Sequence, residues 1–83
     1  MTMEIEVQSV TNFLTEKISE YSKVPVTDLS PDMILEDIGL SSLDIVMISG
    51  EIEDEFAIEI DPTVIFESKT INEVVEKVIK LQA

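Results

Sequence analysis

Two adjacent serines stand in the segment Glu36-Asp37-Ile38-Gly39-Leu40-Ser41-Ser42-Leu43-Asp44. Ser41 followed three residues later by Asp44 reads as a helix N-cap with a capping box. Ser42 then falls at the first helical position. Backbone N–H groups there lack intrahelical partners, and the helix dipole presents its positive end. A phosphate ester on the Ser42 hydroxyl would be well placed beside those donors. Gly39 lets the chain turn tightly and leaves the serine unobstructed. The same two serines also fit a plainer role, that of capping a helix and nothing more.

Little else in the chain is equipped for chemistry. It has no Cys, no His and no Trp. Without Cys there is no disulfide framework, no thiolate metal site and no thiol nucleophile. Without His the usual general base near neutral pH is missing. No catalytic residue and no metal ligand set is assigned. An EF-hand is excluded because no Asp-x-Asp-x-Asp-Gly loop occurs. A hydrolase is the least favoured reading, for want of His, Cys or a nucleophile-elbow motif.

Charge is the strongest compositional feature. Eighteen acids against five bases give a formal net charge of −13. No Lys or Arg occurs between Lys23 and Lys69, a stretch with twelve acids from Asp28 to Glu67. Such a surface repels nucleic acid and anionic membrane and attracts basic protein partners. Acid in excess also serves solubility alone. Residues Met1 to Gln8 lack a basic region followed by an apolar one, and no run reaches transmembrane length. A soluble, cytoplasmic protein without membrane insertion is expected. With 83 residues, 45% of them apolar, the chain is expected to form one domain over 1–83 with a modest core.

The periodicity that positions the serines is helical almost throughout. Val7, Val10, Leu14, Ile18 and Tyr21 form a stripe on a first helix over about residues 3–21. A long connection follows from Ser22 to Leu40, broken by Pro25, Pro31 and Gly39. Connections of this length are often functional. Val24, Val26, Leu29, Met33, Leu35 and Ile38 recur along it and are expected to pin it across the helices. A second helix is expected from Ser42 to about Phe56. Asp61-Pro62 opens a brief helix through Phe66. Thr70 and Glu73 form another capping box before a last helix with Ile71, Val74, Val75, Val78 and Ile79 on its core face. The expected fold is all-α: a small four-helix bundle of three main helices and one short one, with a long first loop.

At 100° per residue, Ile45, Ile48, Ile52 and Phe56 share one side of the second helix, its core face. Leu43, Met47, Gly50 and Asp54 line the opposite side, with Val46 at its edge. Leu43, Val46 and Met47 thus make a small apolar patch beside Ser42, followed by Glu53, Asp54 and Glu55. An apolar centre with a charged surround suits partner docking, although scattered surface apolar residues need no explanation.

The segment around Ser42 resembles the attachment motif of acyl carrier proteins, whose usual form is Gly-x-Asp-Ser-Leu. The resemblance extends through Asp44 and Glu53-Asp54-Glu55-Phe56. More loosely, it takes in the length, acidity and helix order of the whole chain. It implies that Ser42 receives 4′-phosphopantetheine from coenzyme A through a separate phosphopantetheinyl transferase. It further implies a carrier, not an enzyme, that holds acyl groups as thioesters. Leu43, Asp44, Val46, Met47, Glu53 and Asp54 would then form the docking surface. The partners implied are acyl-loading, condensing and acyl-transfer enzymes of fatty-acid or polyketide type, with basic patches, meeting a monomeric carrier. The imported arm would supply the thiol that the chain lacks. The acyl chain would lie against residues such as Ile48, Ile52, Phe66 and Ile71.

The chain departs from the family pattern at named positions. Ser41 replaces the usual Asp, which keeps the cap and removes a charge. At Met47 and Ser49 the family often has an acid and an apolar residue, and Gly50 replaces a larger side chain. Val64-Ile65-Phe66-Glu67-Ser68-Lys69-Thr70-Ile71 resembles carriers of polyketide and peptide assembly lines. An aminoacyl, D-alanyl or peptidyl carrier with the same arm is therefore an alternative. Outside the carrier class, the alternative is an acidic helical interaction module without a prosthetic group.

Overall fold

The computed structural model describes residues 3–82. Its helices are α1 (Met3–Ser22), α2 (Leu35–Ile38), α3 (Ser42–Phe56), α4 (Pro62–Phe66) and α5 (Ile71–Gln82), with a 3-10 turn at Val26–Asp28. The fold is all-helical, as expected, and the three long helices and the brief α4 fall where the periodicity places them. The structure adds α2, a single turn inside the long connection that the sequence pattern leaves as loop.

The core forms where the apolar stripes of the three long helices meet. Val10, Leu14 and Ile18 come from α1, one helical turn apart, and all are buried. They meet Ile48 and Ile52 of α3 and Ile71, Val74, Val75, Val78 and Ile79 of α5. Ile65 of α4, Ile60 of the preceding link, and Leu35 and Ile38 of α2 belong to the same buried cluster. The radius of gyration is 11.7 Å, close to the roughly 12 Å expected for this length.

The long connection is held by hydrogen bonds as well as by apolar contacts. Ile34 and Thr70 form an isolated antiparallel bridge, and the Leu35 N–H donates to the Lys69 carbonyl at 2.8 Å. The Asn72 N–H donates to the Pro31 carbonyl at 3.0 Å, and the Asn72 side-chain amide donates to Asp32 Oδ1 at 2.7 Å. Leu35 and Ile38 pin the segment as expected, while Val24, Leu29 and Met33 are half-buried against the core. Val26 does not take part. It sits exposed in the 3-10 turn, whose three residues are too few to bury a face. The cap of α5 also differs in detail. Glu73 N–H donates to Thr70 Oγ1, but the Glu73 carboxylate reaches back to the N–H of Lys69, one residue earlier than a capping box requires.

α3 is fixed at both ends. Gly39 ends α2 with φ +94°, a left-handed conformation that glycine alone adopts without strain. The chain thereby reverses into Leu40 and Ser41. On one flank of α3, Tyr21 Oη of α1 donates to Glu51, and Lys17 Nζ lies 3.0 Å from the same carboxylate. The Phe13 and Phe56 rings meet edge to face at 5.3 Å just beside this clasp.

Candidate functional site

The capping box at the head of α3 is complete. Asp44 N–H donates to Ser41 Oγ at 3.1 Å, and Ser41 N–H donates to Asp44 Oδ2 at 2.9 Å. The Ile45 N–H donates to the Ser41 carbonyl. Among the described residues this leaves the N–H groups of Ser42 and Leu43 without a protein partner, directly beside the exposed Ser42 hydroxyl. Two open donors at the positive end of a 15-residue helix suit a phosphodiester on that oxygen. Asp44 is half-buried and its carboxylate is engaged in the cap.

Beside Ser42 opens a cleft of about 230 Å³. Leu35, Leu40, Ile45, Ile65 and Phe66 supply its apolar walls, with Ser68 as a buried polar member. Its lining differs from the set of residues named above for the acyl chain. Ile48, Ile52 and Ile71 are at most 2% exposed and are sealed in the core. Of the four residues named, only Phe66 lines the cleft. The long connection supplies Leu35 and Leu40 instead, because α2 folds back beside α4. The Ser68 hydroxyl donates to the Val64 carbonyl at 2.7 Å and accepts from Lys77 Nζ at 3.0 Å. The wall of the cleft is thereby braced against α5. Sequence periodicity gave no sign of this contact, since Ser68 lies outside any helix.

The outward face of α3 is apolar near Ser42, as its periodicity predicts. Leu43, Val46 and Met47 are 69%, 45% and 49% exposed. Asp54 is exposed further along the same face. Glu53 has a second duty: its Oε2 accepts the Ile60 N–H at 3.0 Å and so holds the link between α3 and α4. Ser49, where an apolar residue was expected from the family pattern, is buried with its hydroxyl donating to the Val46 carbonyl at 2.7 Å. That bond satisfies the polar group inside the helix and leaves the core undisturbed.

Charge further along α3 and at the head of α4 is organised by donors. The Tyr21 hydroxyl and, beside it, Lys17 hold the Glu51 carboxyl below its ordinary value of 4.5. In return Glu51 raises the Tyr21 phenol and the Lys17 ammonium. At the head of α4 the backbone N–H and hydroxyl of Thr63 lower Asp61. Among the described residues no group of three or more acids is arranged to hold a metal ion.

Comparison with known proteins bears on this geometry. The family model described as "Phosphopantetheine attachment site" matches residues 12–78. No curated protein sequence matches. The fold is similar to that of a free-standing peptidyl carrier protein from an uncharacterized Acinetobacter baumannii secondary metabolic pathway. In that case the TM-score is 0.82 and identity 23%, over 89% of this chain and 92% of that one. It is also similar to the HMG-ACPI domain of the CurA module from Lyngbya majuscula. There the TM-score is 0.80 and identity 17%, over 92% of this chain and 78% of that one.

Proposed function

Because this chain belongs to the phosphopantetheine attachment site family, a family of non-catalytic carriers whose cofactor is covalent 4′-phosphopantetheine, we propose that Ser42 is its attachment point. The observation that carries the assignment is the pair of open N–H groups beside an exposed hydroxyl at the first position of α3. Ser41, the only adjacent hydroxyl, is occupied as the cap.

In the loading step a transferase removes the Ser42 hydroxyl proton. The oxygen forms a bond to the β-phosphorus of coenzyme A, the pyrophosphate linkage breaks, and the 3′-phosphorylated adenosine monophosphate portion leaves. The chain offers no His or Cys for the proton transfer, so the base belongs to the transferase. Ser42 and Leu43 N–H groups orient the phosphodiester, and the Leu35, Leu40 and Phe66 walls offer an apolar shelf beside it. The bound arm supplies a terminal thiol that holds cargo as a thioester.

Carriers of this family work with a transferase and with biosynthetic enzymes. Here the docking face is Leu43, Val46 and Met47 with Asp54 and the free side of Glu53, and its partners present basic residues around an apolar pocket. The cargo is an acyl group delivered to fatty-acid or polyketide-type enzymes. A peptidyl or aminoacyl cargo is the second reading, favoured by likeness to a peptidyl carrier fold. Residues 1–83 act as one carrier domain, monomeric and cytoplasmic. No helix among the described residues is long and apolar enough to cross a membrane.

Intact-mass measurement after incubation with coenzyme A and a phosphopantetheinyl transferase tests the assignment. The wild type is expected to gain one arm and Ser42→Ala none. A mass gain in folded Ser42→Ala would refute it. Mass spectrometry of protein purified from its own host would identify the cargo.

A further inference from the structure

Apart from Ser42, the polar residues lining the cleft beside it are Glu36 and Ser68. Glu36 is exposed, whereas Ser68 is only 7% exposed. The Ser68 hydroxyl has one proton to give and two lone pairs to receive with. It donates to the Val64 carbonyl at 2.7 Å, and Lys77 Nζ donates to it at 3.0 Å. Among the described residues nothing donates to the second lone pair. The proton is held where it is by the end of α4. No backbone N–H reaches the Val64 carbonyl, one of the carbonyls that a helix end leaves without an intrahelical partner. If the hydroxyl turned away, that carbonyl would keep only Lys77 Nζ at 3.4 Å, beyond the usual N–H···O range of about 2.7–3.2 Å. Ser68 therefore has an acceptor to offer a ligand and no donor. Glu36 is an acceptor as well, since a carboxylate has no proton to give. No Lys lines the cleft.

We propose that Ser68 makes this cleft selective for acyl groups that carry a hydrogen-bond donor, a hydroxyl or an amine. The occupant is the acyl end of the chain's own thioester, because Ser42, which anchors the arm, lines the same cleft. Leu35, Leu40 and Phe66 cover the carbon chain of such a group, and the open lone pair of Ser68 accepts its O–H or N–H. An oxo group in the same place sets oxygen against oxygen with no proton between them, so it loses its bonds to water and gains none. A plain alkyl chain gains the apolar walls but not the hydrogen bond. Ser68 thus sets which cargo shelters beside the attachment point. This inference rests on the reading of Ser42 as that point.

The test loads the wild type, through a broad-specificity phosphopantetheinyl transferase, from four coenzyme A thioesters of equal chain length: butanoyl, 3-hydroxybutanoyl, 3-aminobutanoyl and 3-oxobutanoyl. Hydroxylamine cleavage followed by intact mass reports how far each thioester is shielded. Each rate is divided by that of the same coenzyme A thioester free in solution, which removes differences in intrinsic reactivity. The hydroxy and amino cargoes are expected to be shielded about fivefold better than the butanoyl and oxo cargoes, the factor that one net hydrogen bond supplies. In Ser68→Ala the four cargoes are expected to be shielded alike. Ser68→Cys, which keeps a side chain of similar shape with a weaker acceptor, is expected to lose most of the difference and serves if the alanine variant does not fold. Equal shielding of all four cargoes on the wild type overturns the proposal, and so does a preference that survives in either folded variant. If the wild type gains no arm, the functional reading itself fails and the proposal falls with it; the wild-type mass reports this separately from any cargo preference.

Discussion

Replacing the two serines one at a time separates the cap from the attachment chemistry. Ser41→Ala removes the acceptor of the Asp44 N–H bond but leaves the return bond, from the backbone N–H of Ser41 to Asp44 Oδ2. One exposed cap bond is therefore lost, which costs about 1 kcal/mol. For a domain of this size that lowers Tm by roughly 4–8 °C. Asp44→Ala removes the other half of the same box, and the double variant is expected to lose less than the sum of the two. Ser42→Ala sits at the first helical position, outside the box, so its stability change is expected to stay within about 0.5 kcal/mol. Thermal melts followed by circular dichroism give the stabilities, and intact mass after incubation with transferase and coenzyme A gives the modification. Ser41→Ala should melt lower yet still take the arm, whereas Ser42→Ala should melt like wild type and take none. The reasoning is refuted if Ser41→Ala is folded but unmodified while Ser42→Ala is modified. Unchanged stability of Ser41→Ala would show that the capping bond has no role.

Asp54→Lys is expected to slow association with the transferase and weaken its salt dependence; unchanged rates would remove this end of α3 from the docking face. Asp54 is the cleaner choice than Glu53, which also holds the Ile60 N–H. The folded-state pKa of Glu51 is depressed by Tyr21 and Lys17, so the clasp stabilises the fold above the ordinary value of 4.5 and is lost as pH falls through the folded value. Tyr21→Phe should accordingly lose less stability than wild type as pH falls below the ordinary value of 4.5 in acid melts, and superimposable curves would show that the clasp does not set acid sensitivity. A net charge of −13 on a body with a radius of gyration of 11.7 Å must repel itself, over distances comparable with the Debye length of about 8 Å at physiological salt. Added monovalent salt is expected to raise Tm, with magnesium effective at lower concentration as a loose counter-ion. A Tm indifferent to both would mean that packing dominates.

Much of this arrangement is written in local pattern. The i, i+4, i+8 recurrence of Val10, Leu14 and Ile18, and the i, i+3, i+4, i+7 recurrence of Ile71, Val74, Val75 and Val78, determine by themselves that these stretches are helices with one buried face. Ser41 with Asp44, and Asp61 with Pro62, mark two helix starts because caps involve only residues a few positions apart. The exposed Leu43, Val46 and Met47 follow from helical phase once Ile48 and Ile52 are assigned to the core. Tertiary structure decided what depends on residues far apart in the chain. Folding back of the long connection onto the start of α5 brings Leu35 and Leu40 to the cleft beside Ser42, while closure of the core seals Ile48, Ile52 and Ile71 away from it. Pairing of Tyr21 and Lys17 with Glu51, of Glu53 with the Ile60 N–H, and of Lys77 with Ser68 likewise joins separate elements. Periodicity reports which side of a helix faces inward; which partner lies across from it is decided only when the helices pack.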